Sequence, residues 1–398
     1  MFAFEKVWNN ILVDLKNHNE AKRFFKIESR IYNIFLETQL NGIYISIEKL
    51  DIKLKELKKQ KYRNIKILEL KYGFLSQKIN SISSTNDVKE YSLNENYSNE
   101  FDTSFWDKVE IYSNTDHFLE ILLNARKATL DYNALIKYTV DDYEKIYPSF
   151  SILGTVTGRI IISKPGIQYL RRTSRVIFES KADYQFLYAD FDQFEPGIIA
   201  SISNDVNLLD LYNKGDVYEE LSQVLFKTKS KRKLAKVIFL SFIYGMKLDN
   251  LKNLILKLSN QESCKKGMKF FSKFNELIIW KEKICENAKR IGYSESYMGN
   301  RRYISRSNFL KNDEKRWIPN QQIQGTASYI FKKSLIQLKS ECPYLNILIP
   351  MHDGILVETP KSLLDEAINK INSIFKDEFQ KVCPNIIPSI TIDTSFSK

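Results

Sequence analysis

Several carboxylates stand where buried strands are predicted to end. The run "YQFLYAD" at 184–190 has the aromatic content and alternation of a strand, and Asp190, Asp192 and Glu195 lie at or just beyond its end. Another acid, Asp353, lies in the tight turn of "LNILIPMHDGILVET", since Asp-Gly between apolar runs is a strong hairpin signal. Neighbouring acids repel each other unless cations lie between them. Oxygen ligands suit Mg²⁺, and paired Mg²⁺ ions promote displacement at phosphorus.

A second set of residues could bind the polyphosphate that such chemistry requires. In "RKLAKVIFLSFIYG", Arg232, Lys236, Leu240 and Tyr244 recur every four residues and would form one slanted ridge on a helix. This cationic ridge offers a guanidinium, an ammonium, an apolar patch and a ring in that order. The phosphates, sugar and base of a nucleotide would meet these groups in the same order.

Each feature also has a plain structural interpretation. An isolated "HDG" at a hairpin is usually only a turn, and strand ends often carry an acid. The ridge alone is typical of an amphipathic helix with two surface cations. The helix is predicted to turn another set of side chains toward the core: Leu234, Val237, Ile238 and Phe242.

The elements around these residues follow from periodicity and from Gly and Pro. Between 147 and 191, short β-branched runs broken by Gly and Pro predict strands and turns, and "GYSESYMGNRRYI" at 292–304 predicts a hairpin. Helical spacing covers the following segments: 27–40, 48–72, 115–138, most of 206–290, and 314–340. The lysines of the second helix, including "KKQK", are by themselves typical of a solvated face.

Composition limits the classes of protein. The chain has 398 residues, 43% of them hydrophobic, which predicts two or three subdomains with a sizeable core. Its net charge of +12 suits a polyanionic partner, although a codon bias toward Lys, Asn and Ile would also produce it. The four cysteines and three histidines form no metal or disulfide pattern. Neither a signal peptide nor an apolar run of about 18 residues is present, so the cytoplasm, of a bacterium or of a virus's host, is the predicted location with no membrane partner.

These blocks resemble family A DNA polymerases, the bacterial polymerase I type. The family's motif A, DYSQIELR, is similar to "DFDQFEPG" at 190–197; its motif B, R-x3-K-x7-Y-G, matches 232–245; and its motif C, VHDE, is similar to "MHDG" at 351–354. Supporting blocks occur in the family's order: "IESRIYNIFLETQLNGIYIS", "TVTGRIIISKPGIQYL", "GNRRYI" and "NQQIQGTAS". The resemblance covers about 27–398, and seven blocks in order exclude coincidence.

The resemblance implies an α+β right-hand architecture, with an antiparallel palm sheet, helical fingers and a helical thumb whose lysines contact phosphates. The implied divisions are an N-terminal extension at 1–26, a palm-base helix and strand at 27–47, a thumb at 48–135, palm with motif A at 136–205, fingers with motif B at 206–310, and palm with motif C at 311–398. The implied reaction adds deoxynucleotides to a primer 3′-hydroxyl on a template.

The resemblance also assigns roles to residues. Asp190 and Asp353, together with Phe191, would hold two Mg²⁺ ions, and Lys236 joins the two aspartates as a catalytic group that protonates pyrophosphate. The residues assigned to the nucleotide are Arg232, Lys236, Glu195, Gln193, Leu240 and Tyr244. Among them, Glu195 would exclude a 2′-hydroxyl. The residues assigned to primer–template DNA are Arg159, Gln168, Asn320, Gln324, His352 and Gly245.

The chain departs from the family's pattern at several positions. Leu240 replaces an aromatic residue, Gly354 a glutamate, Gly197 an arginine and Tyr218 a histidine that touches phosphates in relatives. Asp192 stands where the family has serine and is therefore not assigned to the metals.

A proline within the last predicted helix is a further departure. Pro319 precedes Asn320 and predicts that the helix restarts there, which weakens the assignment of Arg316, one turn earlier, to the site.

Two other classes remain open. A single-subunit RNA polymerase shares the two aspartates and motif B but lacks Glu195, and a degenerate polymerase would only bind nucleic acid. Reverse transcription is a further activity that the sequence leaves open.

Too few acids precede residue 27 to form an exonuclease site, so we expect no intrinsic proofreading. A separate exonuclease or a processivity factor would then be a partner, beside primer–template DNA and dNTPs.

Overall fold

A four-stranded antiparallel sheet holds the strand ends that carry the two aspartates. The structure is a computed structural model, and it describes residues 2–74, 91, 105–113, 116–305 and 309–397. The strands of the sheet lie in the order β10 (Ile390–Asp393), β5 (Tyr184–Phe191), β9 (Gly354–Pro360) and β8 (Asn346–Pro350). The predicted strand at 184–190 and the hairpin around Asp353 are confirmed.

The remaining strands in the described part of the chain form three small two-stranded sheets. Their bounds are β1 Ile43–Tyr44 with β2 Lys145–Ile146, β3 Ser149–Ser151 with β4 Ile161–Lys164, and β6 Tyr293–Glu295 with β7 Arg301–Tyr303. The last pair is the hairpin that the sequence predicts at 292–304.

The helices occupy every segment for which helical spacing predicts one. Their bounds are α1 Phe2–Asn17, α2 Ala21–Arg23, α3 Ser29–Asn41, α4 Ile47–Tyr72, α5 Phe105–Tyr112, α6 His117–Leu135, α7 Phe194–Ser203, α8 Val206–Lys214, α9 Val217–Phe226, α10 Arg232–Ile243, α11 Leu248–Leu258, α12 Gln261–Phe271, α13 Asn275–Ile291, α14 Asn312–Glu341 and α15 Leu364–Val382. A π-helical turn, Phe24–Glu28, leads from α2 into α3. Within the described ranges, no helix combines the length and apolar content that crossing a membrane requires.

Both faces of the central sheet are buried, which explains the aromatic-rich run in β5. Leu187, Ala189 and Phe191 face the largest hydrophobic cluster, where the ring of Phe191 stacks on Phe375 of α15. The alternate residue Tyr188 faces a second cluster on the opposite side. Because side chains alternate along a strand, Asp190 emerges on the same face as Tyr188 at the end of the sheet.

The helix α10 is anchored on two sides. Ile238 and Phe242 lie in the largest cluster, as the sequence predicts for core-facing positions. Leu234 and Val237 instead pack against a third cluster, built from α4, α5 and α6. The predicted thumb segment 48–135 includes this third cluster, and its residues 75–90, 92–104 and 114–115 lie outside the described part of the chain.

The prediction that a helix restarts at Pro319 is wrong, because α14 continues through this residue. A proline inside a helix leaves the carbonyl four residues earlier without its usual N–H donor. Here the Cys285 thiol of α13 donates to the Lys315 carbonyl at 3.8 Å. The Ser294 hydroxyl also donates to the Ile318 carbonyl at 3.0 Å. Contacts from neighbouring elements therefore keep the helix intact, and Arg316 lies on the same continuous helix as Asn320.

Candidate active site

The register of β5 and β9 brings the two aspartates together. Asp190 lies opposite Gly354, and the N–H of Phe191 donates to the carbonyl of Asp353 at 3.2 Å. Burial, together with the charges of Asp353 and Asp192, raises the pKa of Asp190 to about 7. Burial and the charge of Glu195 also raise the pKa of Asp353. The strand-end site formed by Asp190 and Asp353 therefore concentrates negative charge, which the cationic side chains of the described residues do not fully neutralise.

This pair fits a divalent cation. Asp190 Oδ1 is buried and accepts no hydrogen bond from the described residues, which is costly for a carboxylate unless another group occupies that position. The described residues contain no cluster of three or more His, Cys, Asp or Glu side chains suited to a metal. Two carboxylates suffice for Mg²⁺ when water and substrate phosphates complete its shell. Phe191 buries its ring in the core, so only its backbone carbonyl could contribute.

Asp192 is occupied elsewhere. Its two carboxylate oxygens accept hydrogen bonds from the hydroxyls of Ser389, at 2.8 Å, and Thr391, at 2.7 Å. These contacts tie the end of β5 to β10, and they agree with leaving Asp192 out of the metal ligands.

Tyrosine side chains crowd Gly354 and Gly197, the two glycines that stand where the family's motifs have glutamate and arginine. A Cβ on Gly354 would lie 2.6 Å from the Tyr188 hydroxyl, 2.8 Å from the Ala189 carbonyl and 2.9 Å from Asp190 Oδ1. A Cβ on Gly197 would lie 2.8 Å from the ring of Tyr212. Each departure is therefore coupled to its surroundings: no side chain fits at either position unless its neighbours move.

Glu195 connects the strand-end site to the ridge helix. It lies in the first turn of α7, and its Oε1 accepts a hydrogen bond from Arg159 Nη2 at 2.7 Å. Its Oε2 accepts from the hydroxyl of Tyr244, and Gln324 Nε2 reaches that hydroxyl at 3.5 Å. The carboxylate is thus held from both sides, with only 18% of its side chain exposed.

The cationic ridge has the predicted order. Arg232, Lys236 and Leu240 lie on α10, and Tyr244 is the first residue after the helix. The N–H of Tyr244 still donates to the Leu240 carbonyl at 2.8 Å, so the four side chains keep the helical progression. Gly245 then takes a positive φ of 88°, which glycine adopts without strain.

Both cations of the ridge, Arg232 and Lys236, contact residues of a neighbouring segment. Arg232 donates from Nε, at 2.9 Å, and from Nη2, at 2.6 Å, to Asp216 Oδ2. The ring of Tyr218 lies near Arg232 and Lys236. The side chain of Gln193, at the N-cap of α7, donates to the Gly215 carbonyl and accepts from the N–H of Val217. It thereby fixes α9 relative to the end of β5.

The residues assigned to primer–template DNA differ in accessibility. His352 is exposed, and Asn320 Oδ1 is buried without a hydrogen-bond partner among the described residues. Gln168 is buried, and its amide is fully used by the backbone of Ile160, Ile162 and Pro350. Gln168 therefore ties the start of β4 to the end of β8.

Sequence reasoning missed Asp216 and Tyr188. Asp216 stands at the N-cap of α9 in "GDVYEE", where an acid is an ordinary capping signal, so nothing local indicates its ion pair with Arg232. Tyr188 lies two residues before Asp190 on the same strand face, and period-two alternation could have indicated that it adjoins the site.

Comparisons with known proteins find related sequences and a related fold. The sequence profile of DNA polymerase family A matches residues 48–393. DNA polymerase I of Bacillus caldotenax is 25% identical over 264 residues, which cover 61% of this chain and 30% of that protein. DNA polymerase I of Bacillus subtilis is 24% identical over 398 residues, which cover 91% of this chain and 44% of that protein. The chain thus matches less than half the length of either relative.

A solved structure has the same fold. The polymerase domain of Pol1 from M. smegmatis, in complex with DNA primer-template and dNTP, superimposes with a TM-score of 0.77. It is 20% identical, and the match covers 96% of this chain and 72% of that one. The α+β right-hand fold implied by the sequence motifs is confirmed.

Proposed function

The chain belongs to DNA polymerase family A, and we propose that it extends a primer 3′-hydroxyl with deoxynucleotides on a DNA template. The observation that carries this proposal is the pair Asp190 and Asp353 next to Glu195, with a buried oxygen of Asp190 that lacks a hydrogen-bond partner among the described residues. The similar M. smegmatis domain is described in complex with primer-template and dNTP, which supports the same substrate class for this chain.

The same proposal divides the fold into palm, fingers and thumb. The sheet of β5, β8, β9 and β10 serves as the palm, α8 to α13 as fingers, and α4 to α6 as the thumb. Lys58 and Lys59 of α4 are exposed and available to duplex phosphates.

Asp190 and Asp353 are the residues that would hold two Mg²⁺ ions. Such ions, when bound, lower the pKa of an attacking hydroxyl and stabilise negative charge on phosphate oxygens. The sheet register supplies the positioning, because Asp190 lies on β5 opposite Gly354 and Asp353 directly precedes β9, with its carbonyl bound to the N–H of Phe191.

Arg232 and Lys236 bind the triphosphate in this proposal. Lys236 is exposed and makes no ion pair within the described part of the chain, so its three N–H donors are available. It can donate a proton to the departing pyrophosphate oxygen. Arg232 must exchange at least part of its contact with Asp216 for phosphate oxygens.

Glu195 selects the sugar. Its carboxylate is fixed by Arg159 and Tyr244, so a 2′-hydroxyl that approached it would have to displace a charge-assisted hydrogen bond. Leu240 offers an apolar surface but no aromatic ring against the sugar. Glu195 therefore carries more of the selection against ribose than it would beside an aromatic residue. Gln193 positions α9 and the start of α7 rather than contacting the nucleotide through its engaged amide.

The primer–template assignment rests on side chains around Glu195 and the hairpin turn. Arg159, Gln324, Asn320 and His352 offer donors and acceptors that suit base edges and phosphates. The backbone at Gly245 adjoins Arg316, whose Cγ would lie 3.8 Å from a Cβ there. Gln168 acts indirectly, by tying the start of β4 to the end of β8.

One experiment tests the function. Primer extension is measured on DNA and RNA templates, each with dNTPs or NTPs, beside the Asp190→Asn and Asp353→Asn variants. We expect Mg²⁺-dependent extension with dNTPs on DNA that both variants lose. Preference for NTPs would support an RNA polymerase instead, and duplex binding without extension would support a binding module. The expected lack of proofreading stays a prediction.

A further inference from the structure

The ring of Tyr218 underlies both cations of the ridge. Its centroid lies 5.1 Å from the guanidinium carbon of Arg232 and 5.7 Å from Lys236 Nζ. Both distances lie within the range of about 6 Å at which a cation is attracted by an aromatic face. One ring thus contacts two like charges that are one helical turn apart on α10.

The ring is held in place from below and from its backbone. It is 3% exposed, and it packs edge-on against Phe239 of α10, with centroids 5.9 Å apart and planes at 78°. Asp216 Oδ1 accepts hydrogen bonds from the N–H groups of Tyr218, at 2.8 Å, and Glu219, at 2.9 Å. The same carboxylate binds Arg232 through Oδ2, so α9 and α10 are joined at this point.

The contacts of the two cations differ in what a phosphate must displace. Arg232 is hydrogen-bonded to Asp216, and a triphosphate must compete with that carboxylate. The contact with Tyr218 uses the face of the ring and no N–H donor, so it can persist while the donors bind phosphate oxygens. Lys236 has no ion-pair partner among the described residues, and its Nζ lies over the ring of Tyr218.

We propose that Tyr218 is a positioning residue that holds Arg232 and Lys236 side by side for the nucleotide's polyphosphate. The proposal rests on the proposed function, in which these two cations bind the triphosphate. The electron-rich face of the ring attracts each cation and so lowers the cost of keeping two like charges close together before the substrate arrives. The hydroxyl of Tyr218 has no part in this role.

The first test separates the ring from the hydroxyl. We expect Tyr218→Phe to keep KM for dNTP within about twofold of the wild-type value, and Tyr218→Leu to raise it roughly tenfold with kcat changed much less. The inhibition constant of pyrophosphate, which carries the same phosphate groups without sugar or base, should rise in parallel. A Tyr218→Phe variant as impaired as Tyr218→Leu would overturn the proposal.

The second test keeps the packing constant. Phenylalanines with one, two and three fluorine atoms at position 218 retain the ring's shape but draw electron density from its face. The logarithm of KM should rise in step with the number of fluorine atoms, and a flat series would overturn the proposal. Because these side chains fill nearly the same volume, this test holds even if Tyr218→Leu does not fold.

Phe271→Leu is the matched control, since Phe271 is buried in the same core and packs on Phe242 of α10 but is not the ring under either cation. It should lower the melting temperature as Tyr218→Leu does and leave KM for dNTP unchanged; an equal rise in KM would assign the effect to packing. Arg232→Gln distinguishes the two proposals. If it leaves KM unchanged, the proposed phosphate site itself fails; if it raises KM while the fluorine series is flat, only the role of Tyr218 fails.

Discussion

The strand-end site and the cationic ridge differ in the sign of their charge and in how that charge is compensated. In the strand-end site, Asp190 and Asp353 are attached to paired strands, their pKa values are raised, and one oxygen lacks a partner among the described residues. On the ridge, Arg232 is ion-paired and Lys236 is exposed to solvent over a ring. The first region needs a cation from outside, whereas the second must release a protein partner to bind its ligand.

The difference follows from how each region is built. The pairing of β5 with β9 holds Asp190 and Asp353 close together despite their electrostatic repulsion, because the strands cannot shift in register without breaking the sheet. Long side chains on a helix can instead turn toward the nearest counter-charge or ring. The two regions meet at Glu195, whose charge acts on Asp353 and whose Oε2 binds Tyr244 at the end of the ridge.

The largest effect is expected from the strand-end site. Asp190→Asn or Asp353→Asn removes a metal ligand while leaving every basic side chain in place. We expect primer extension to fall by roughly 10³-fold or more, about 4 kcal/mol of barrier, with duplex binding largely kept. Single-turnover extension and DNA binding measured on the same preparations check this. Near wild-type extension by either variant would show that the acids are structural.

The next effect tests the link between the regions. Glu195→Ala removes the carboxylate that Arg159 and Tyr244 hold, so a 2′-hydroxyl meets an open space. We expect the ratio of ribonucleotide to deoxynucleotide incorporation to rise by about 10²-fold. Both rates are measured on one template, with Glu195→Gln as the control because it keeps the side chain's volume. An unchanged ratio in Glu195→Ala would rule out Glu195 as the sugar gate.

A smaller effect tests how tightly the strand ends are packed. A Cβ at Gly354 would meet the Tyr188 hydroxyl at 2.6 Å and the Ala189 carbonyl at 2.8 Å. We expect Gly354→Ala to lower the free energy of unfolding by about 1–3 kcal/mol. Adding Tyr188→Phe should recover part of that loss, since it removes the closer contact.

The control for this packing test is Gly166→Ala. At that position the nearest atom, on Tyr169, would lie 3.6 Å away, and the backbone φ is −75°. Urea unfolding of the wild type and these three variants should show no loss for Gly166→Ala. Equal losses at positions 166 and 354 would mean that strand-end packing is not special.

The smallest effect concerns the anchor of the ridge. Lys281 of α13 donates from Nζ to the Phe242 carbonyl at 3.0 Å, and burial lowers its pKa to about 8. The unfolded chain, with a pKa of about 10.4 for lysine, keeps its proton longer than the folded state as pH rises. The contribution of Lys281 to the free energy of unfolding therefore rises as the pH increases from about 8 to about 10.

The change should be on the order of 2 kcal/mol, and Lys281→Met should lack it. The measurement is the difference in unfolding free energy between wild type and Lys281→Met at each pH, which cancels the titration of other groups. A difference that does not change with pH would show that Lys281 is not desolvated in the folded state.

The sequence by itself determined the elements and the order of the chemistry along them. Alternation placed Asp190 at the end of a strand, Asp-Gly placed Asp353 in a hairpin, and four-residue spacing placed Arg232 and Lys236 on one ridge. These features depend on neighbouring residues and on backbone periodicity, which short-range patterns report. The division into palm, fingers and thumb by residue number stays a prediction.

Only the tertiary structure decided which distant side chains meet. Arg159 and Tyr244 reach Glu195 from 36 and 49 residues away, and Asp216 at the N-cap of α9 reaches Arg232 at the start of α10. Pro319 stays inside α14 because Cys285 and Ser294, from other elements, satisfy carbonyls near the proline. Such contacts arise when helices and strands pack into one core, where partners are selected by position in space; local propensity contains no information about them.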